Sequence, residues 1–450
     1  MRSNFESRFM RGSVIVLSFL ISLFFVPSAH SQRYLSELDT SLFIVDTVRP
    51  VIKRFENLRF SGYLQAQYQM ISQDGAKTYG GGDFDAHSKS RFMLRRARMK
   101  MDYLAVTDQK LPKALFTFQI DATERSVRVR DMFLRLYETK KNNFALTAGV
   151  FARPFGYEVN LSSSYRETPE RGRMSQILLP SERDLGVMIS YDPQQKDGHN
   201  HLLKDGHSHL IKVDAGIFNG PGLSATTDFD SKKDIIGRVT LKPLRKKQIE
   251  LGGGLSFLYG GWEQVSKFEY RVINTPSGDK TFSVDSSLSN IGETAPRHYY
   301  GADLQLKWIH KWGVTEWRAE YWTGKQSGTS TSTVNPGTIP VVPTYIRNFN
   351  GAFFYFLQDI VNPKNQLLVK YDWYDPDTKV EGKQIGKPGT SLFEGDIKFS
   401  TLGLGYARQM TTNIKLVLYY EIVTNEKTLL IGYTEDVKDN LFTARLQFRF

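Results

Sequence analysis

Polar and apolar residues alternate one for one along much of this 450-residue chain. The run RRARMKMDY (95–103) sets Arg96, Arg98, Lys100 and Asp102 against Ala97, Met99, Met101 and Tyr103. Side chains on a strand point alternately to opposite faces, so this run predicts a strand with one charged and one apolar face. Phe60, Gly62, Leu64, Ala66 and Tyr68 alternate in the same way against Ser61, Tyr63, Gln65, Gln67 and Gln69. Comparable runs cover 302–312, 313–324, 365–375, 400–409 and 413–423, several of them ending in Trp or Tyr. A helical period competes only over 34–55.

The last residues, DNLFTARLQFRF, place Phe442, Ala444, Leu446, Phe448 and Phe450 on one face. Thr443, Arg445, Gln447 and Arg449 share the other. Such an apolar face packs either on a soluble core or against lipid. A strand that finishes on Phe, with apolar residues at every second place, resembles the signal by which outer-membrane barrels are recognised for assembly. That resemblance implies a role for Phe448 and Phe450 and a barrel-assembly machinery as partner.

Between the strands the connections nearly alternate in length. Short ones are expected near 107–111, 140–142, 243–247, 311–312, 360–363 and 409–412. Long polar ones are expected near 73–88, 153–182, 219–231, 261–296, 326–342, 376–394 and 425–437. Two exceptions break the order: a long stretch at 192–207 and a short one at 122–126. A further strand over 264–274 would make the count odd, so it is assigned to a connection. Even strand numbers, short turns at one end and long loops at the other describe an outer-membrane barrel of roughly sixteen strands. The fold class expected is therefore all-β: a transmembrane antiparallel β-barrel with long external loops, wide enough to leave an aqueous channel.

The first residues fit a cleaved export signal. Arg2, Arg8 and Arg11 precede the apolar run 13–26, and Ala29 and Ser31 offer small-residue positions before a cut ahead of Gln32. The domains read as a signal peptide (1–31), a short periplasmic segment (32–57) and an outer-membrane barrel (58–450), placing the protein in the outer membrane of a Gram-negative cell. Cysteine is absent, which excludes disulfides, Cys-ligated zinc and thiol catalysis. The formal net charge of +12 falls by two when the leader is removed.

Charge then marks one wall. If the apolar face of 95–103 meets lipid, Arg96, Arg98 and Lys100 face the lumen, while Arg95 falls out of step, near an interface or a bulge. ERSVRVRDMFLRLYE (124–138) adds Arg128 and Arg130 beside them, and its alternation slips around Asp131. A wall of one sign concentrates counter-ions. Against that stands a balanced wall, in which Asp102, Asp121 and Asp131 pair with these cations.

The stretch 147–193 carries the most specific pattern. Gly149, Pro154, Phe155, Gly156 and Glu158 end one strand, Glu170-Arg171 sits in the following loop, and Arg183, Asp184, Leu185, Gly186 and Val187 open the next strand. This resembles the phosphate-selective porin O/P family, as do FSGYLQAQYQ and RFMLRRARMKMDY. The resemblance implies a sixteen-stranded, homotrimeric anion porin whose third external loop folds inward. Arg153, Arg166, Arg171 and Arg173 in that loop, with Arg183 at its exit, would supply the constriction. The loop lacks lysine, and Glu167 and Glu170 cancel part of its charge, so passive diffusion of small anions, phosphate among them, is the expected function. A general non-selective porin and a surface adhesin or partner-binding barrel are the alternatives.

Other chemistry finds little support. His199, His201, His207 and His209 form two His-x-His pairs of a kind that can bind Zn²⁺ or Ni²⁺, but they read equally as a polar turn. No nucleophile elbow or phosphate-binding P-loop occurs, so no enzyme, cofactor or metal is expected. Export and the alternation of charge with apolar residues argue against a nucleic-acid partner.

Overall fold

The computed structural model describes residues 57–108, 111–193, 210–276, 278 and 280–450. The leader, nearly all of the 32–57 segment and the His-x-His pairs lie outside the described residues.

The alternating runs form β1 (Leu58–Ile71), β2 (Ser90–Val106), β3 (Pro112–Ala122), β4 (Val127–Tyr137), β5 (Phe144–Ala152) and β6 (Arg183–Tyr191). Then come β7 (Ile211–Phe218), β8 (Asp234–Lys246) and β9 (Ile249–Glu263). β10 (Glu269–Asn274) and β11 (Lys280–Asp285) make a small hairpin. β12 (Thr294–His310), β13 (Gly313–Gly328), β14 (Thr344–Ile360) and β15 (Asn362–Asp375) follow. β16 (Phe399–Gln409), β17 (Ile414–Asn425) and β18 (Leu441–Arg449) complete the set.

Successive strands pair antiparallel, β9 pairs with β12, and β1 meets β18 from Tyr63↔Arg449 to Ile71↔Leu441. The result is a closed sixteen-stranded antiparallel barrel, which leaves its ring without a free edge. The 264–274 stretch does contain a strand, β10. It pairs with β11 and, in parallel, with the start of β14 at Glu269↔Thr344, so it stays outside the ring and the count remains even.

Connections alternate much as their composition predicts. The long ones are 72–89, 153–182, 219–233, 264–293, 329–343, 376–398 and 426–440, and the 123–126 turn is the short exception at that end. At the other end β8–β9, β12–β13 and β16–β17 are joined by 247–248, 311–312 and 410–413.

Exposure follows the pleat. Phe60, Leu64, Met99, Tyr103, Leu446 and Phe448 are exposed on the outer face, while Gln65, Gln67, Gln69, Arg96, Arg98 and Gln447 are buried within. Moving an arginine to a lipid-facing position would cost about 2–4 kcal/mol near the midplane, so the register is strongly determined.

Both slips in the alternation are β-bulges. Gln65 faces Arg96 but Ala66 faces Leu94, so Arg95 is an extra residue. Gln119 faces Asp131 but Ile120 faces Val129, so Arg130 is another. Each bulge inserts a side chain without a cross-strand partner and re-aims it. Arg95 and Arg96 thereby reach the same acid, Glu170.

The largest apolar core lies inside the barrel. Inward-facing Phe151, Phe218, Tyr299, Trp322 and Phe349 pack against Phe155, Val159, Met174, Leu178 and Leu179 of the 153–182 loop. Burying each large side chain contributes about 1.5–3 kcal/mol, so this loop is held against β5–β9 and β12–β15 by its apolar residues.

Candidate pore constriction

The 153–182 loop begins where β5 meets Pro154. Gly156 has φ +67°, and a Cβ there would collide with the Glu320 carboxylate and the Trp322 ring. Only glycine suits both the left-handed backbone and the close approach. That approach lets Tyr157 N and Glu158 N donate to Glu320 over 3.0 and 2.9 Å.

Glu158 is fully buried and fully satisfied. It accepts from Gly172 N at 3.0 Å, Ser175 Oγ at 2.6 Å, Tyr355 OH at 2.9 Å and Lys370 Nζ at 3.0 Å. Gly172 is the N-cap of α1 (Arg173–Leu178), so this carboxylate also sits at the N-terminus of the loop's one-and-a-half-turn helix. Burial alone would raise the Glu158 carboxyl. Lys370, the Ser175 hydroxyl and Arg166 overcome that and hold it at about 2.

From this anchor the loop reaches the opposite wall. Ser163 Oγ and Tyr63 OH lie 2.6 Å apart, and Gln65 Nε2 donates to Ser163 O. Back on the anchor's own wall, Glu167 accepts two bonds from Arg318 on β13, at 2.8 and 2.9 Å. Glu170 is gripped by Arg95 and Arg96 of β2 and Arg445 of β18. Glu182 accepts from Arg130 at 2.6 Å. Burial works against the ionised forms of Glu170 and Glu182. The surrounding guanidiniums prevail and keep both carboxyls well below the usual range.

The loop therefore has two sides. Its apolar side seals against β5–β9 and β12–β15, and its charged side faces β1, β2, β4 and β18. Between that charged side and the wall lies a cleft of about 680 Å³. Among the described residues its lining holds nine arginines, five acids and no lysine. The excess of cations biases this surface towards anions, and water-exposed guanidiniums there suit planar or tetrahedral oxyanions.

Arg96, Arg98, Arg128, Arg130, Arg171 and Arg183 all line this cleft. Arg128 is exposed and forms no ion pair among the described residues, whereas Arg98 pairs with Asp121 at 2.8 Å and Arg183 with Asp131 at 2.9 Å. The other four arginine and lysine candidates stand elsewhere. Lys100 pairs with Asp102 at 2.7 Å, two residues further along β2 from the cleft's Arg98. Arg153 is wholly enclosed, donating to Gly220 O and Ser181 O. Arg166 is buried 3.9 Å from Glu170. Arg173 lies over the rings of Phe399, at 3.8 Å, and Tyr79, at 4.8 Å, a packing position rather than a lining one.

The remaining motif residues have structural duties. Phe155 packs edge-on to Trp322 with centroids 4.7 Å apart. Asp184 accepts from Gly220 N at 2.6 Å and braces the next long connection. Gly149 and Gly186 face each other across β5 and β6, and a Cβ on either would strike neighbouring backbone.

Sequence reasoning missed Arg91, Arg95 and Arg125 in the lining and Arg445 beneath it. Arg445 was recoverable: it lies on the polar face of the last strand, and barrel closure puts it opposite Gln67, one strand from Arg96. Lys370 and Arg318 carried no signal, because only the loop's path brings them to Glu158 and Glu167.

No family model matches the sequence, and no curated protein does. Solved structures match its fold. OprB of Pseudomonas putida aligns with TM-score 0.54 at 9% identity, over 90% of this chain and 96% of that one. An anion-selective porin from Comamonas acidovorans gives 0.51 at 11% identity, over 87% and 99%. The outer-membrane channel DcaP of Acinetobacter baumannii gives 0.50 at 12% identity, over 87% and 97%. The likeness is one of architecture, and it extends over nearly the whole of each barrel.

Proposed function

We propose that this chain is an outer-membrane porin through which small anions, phosphate among them, diffuse passively. The observation that carries the reading is the cleft between the 153–182 loop and the β1–β4 wall, with its nine arginines against five acids. The apolar seal on the loop's other side leaves this basic face as the aqueous route. The resemblance of 147–193 to the phosphate-selective porin O/P family and the fold shared with porins support it, and a homotrimer in outer-membrane lipid belongs to the same reading. A general, weakly selective pore is the second reading, favoured by the pairs Arg98–Asp121, Lys100–Asp102 and Arg183–Asp131.

Uptake of labelled phosphate and labelled sodium into proteoliposomes separates the two. Faster phosphate entry supports the anion porin, equal rates the general pore, and entry of neither a barrel that serves adhesion.

A further inference from the structure

We propose that Glu170 is a resident pseudo-ligand: its carboxylate fills an oxyanion site built by Arg95, Arg96 and Arg445, and so keeps passing oxyanions weakly held. The proposal rests on the anion-porin reading above and deepens it.

The geometry is that of a binding site. Arg95 Nε and Nη2 donate to the two Glu170 oxygens at 2.9 and 3.2 Å. Arg96 Nη1 and Nη2 do the same at 3.0 and 2.6 Å. Arg445 Nη2 adds a fifth bond at 2.8 Å. Two guanidinium forks closing on one carboxylate is how arginine recognises a free carboxylate or phosphate.

One cation would suffice to tie the loop down. The loop is already fastened by the Glu158 anchor, by Glu167 with Arg318 and by Ser163 with Tyr63. The second and third guanidiniums bring mutual repulsion that loop fastening does not require, and the β2 bulge is what delivers one of them. Arg95 and Arg96 both line the open cleft, so the site lies on the proposed route.

Glu170 thus spends the forks while leaving excess positive charge. A passing anion is attracted but finds no open bidentate seat. Conduction demands such weak, multi-site binding, since a tightly held ion blocks the channel. Removing the carboxylate converts a conducting wall into a trap for oxyanions.

The test is block of chloride current in planar bilayers by added phosphate, acetate and bromide, in the full-length protein and in Glu170→Ala. Phosphate and acetate should block the variant at concentrations roughly tenfold or more lower than the unaltered protein, with bromide unchanged. Adding Arg96→Gln, which removes one of the two forks, to Glu170→Ala should weaken the acquired block. Glu170→Ser, which also empties the seat, serves if the alanine variant does not insert, and heat-modifiable electrophoretic mobility checks barrel folding. Unchanged oxyanion block in a folded, conducting variant overturns the proposal. Acquired block in a channel whose unaltered form is not anion-selective would uphold the site while refuting the anion-porin reading.

Discussion

Lys370 Nζ donates to Glu158 Oε1 over 3.0 Å, joining a strand to a loop residue 212 positions earlier. Both groups are almost wholly enclosed. Removing one partner of a buried, hydrogen-bonded ion pair costs about 3–5 kcal/mol, because the other charge is left uncompensated. Lys370→Met should therefore loosen the 153–182 loop within an intact barrel. Single-channel recording should show larger, noisier conductance, and proteases should cut the loop. An unchanged, quiet channel would mean that the apolar seal alone holds it.

Acid should act on the same anchor. Glu158 is held at about 2 in the fold, below the ordinary carboxyl value near 4.3. A depressed carboxyl contributes stability that is full above its unfolded value and is lost as pH falls through the folded one. Loop noise should thus rise only as pH drops through about 4 towards about 2, and a channel equally noisy at pH 7 would contradict the assignment.

The basic residues of this wall should not be equivalent. Arg128 has no acid partner among the described residues and is exposed in the cleft, while Lys100 is matched by Asp102 and lies outside it. Arg128→Gln should shift the reversal potential towards cation permeation more than Lys100→Gln, in a KCl gradient at low ionic strength where charge is least screened. The opposite order would move the selective region further along β2.

Phe450 helps to close the ring. Phe450 N donates to Gly62 O at 3.0 Å and Gly62 N to Phe450 O at 3.1 Å. Deleting Phe450 removes both bonds and the ring that packs on Phe448, so surface yield of folded barrel should fall severalfold. Normal yield by heat-modifiable mobility would deny it a part in assembly.

In the long loops the pH dependence has the opposite sign. Asp377 is buried, its Oδ2 has no hydrogen-bond partner among the described residues, and burial with Asp396 nearby pushes its carboxyl up to about 7. A raised carboxyl loses stability as pH rises from its unfolded value through the folded one. Asp377→Asn should accordingly raise the melting temperature at pH 8 and change it little at pH 4. Equal effects at both would show that Asp377 ionises freely.

Much of the barrel is legible from period alone, since each strand must show lipid one face and water the other. Some of the faults were readable too: the misfit of Arg95 and the slip at Asp131 mark two of the ring's register shifts, while those at Val106, Leu244 and Ile360 gave no such sign. Partnerships were not. Arg96 and Arg98 look alike along β2, yet one grips a loop carboxylate and the other Asp121 of β3. The apolar seal was hidden because inward Phe151, Tyr299 and Trp322 occupy positions where a water-filled barrel predicts polar side chains. Only the third dimension shows that the loop covers them. The β10–β11 hairpin, too, is a strand pattern that the ring excludes.

The most direct test of the central claim is the reversal potential of the reconstituted channel across a KCl gradient, with and without phosphate. The basic cleft predicts an anion-selective potential whose magnitude shrinks as salt rises. A potential near zero, or one favouring potassium, would contradict it and leave the arginines as struts balanced by their acids.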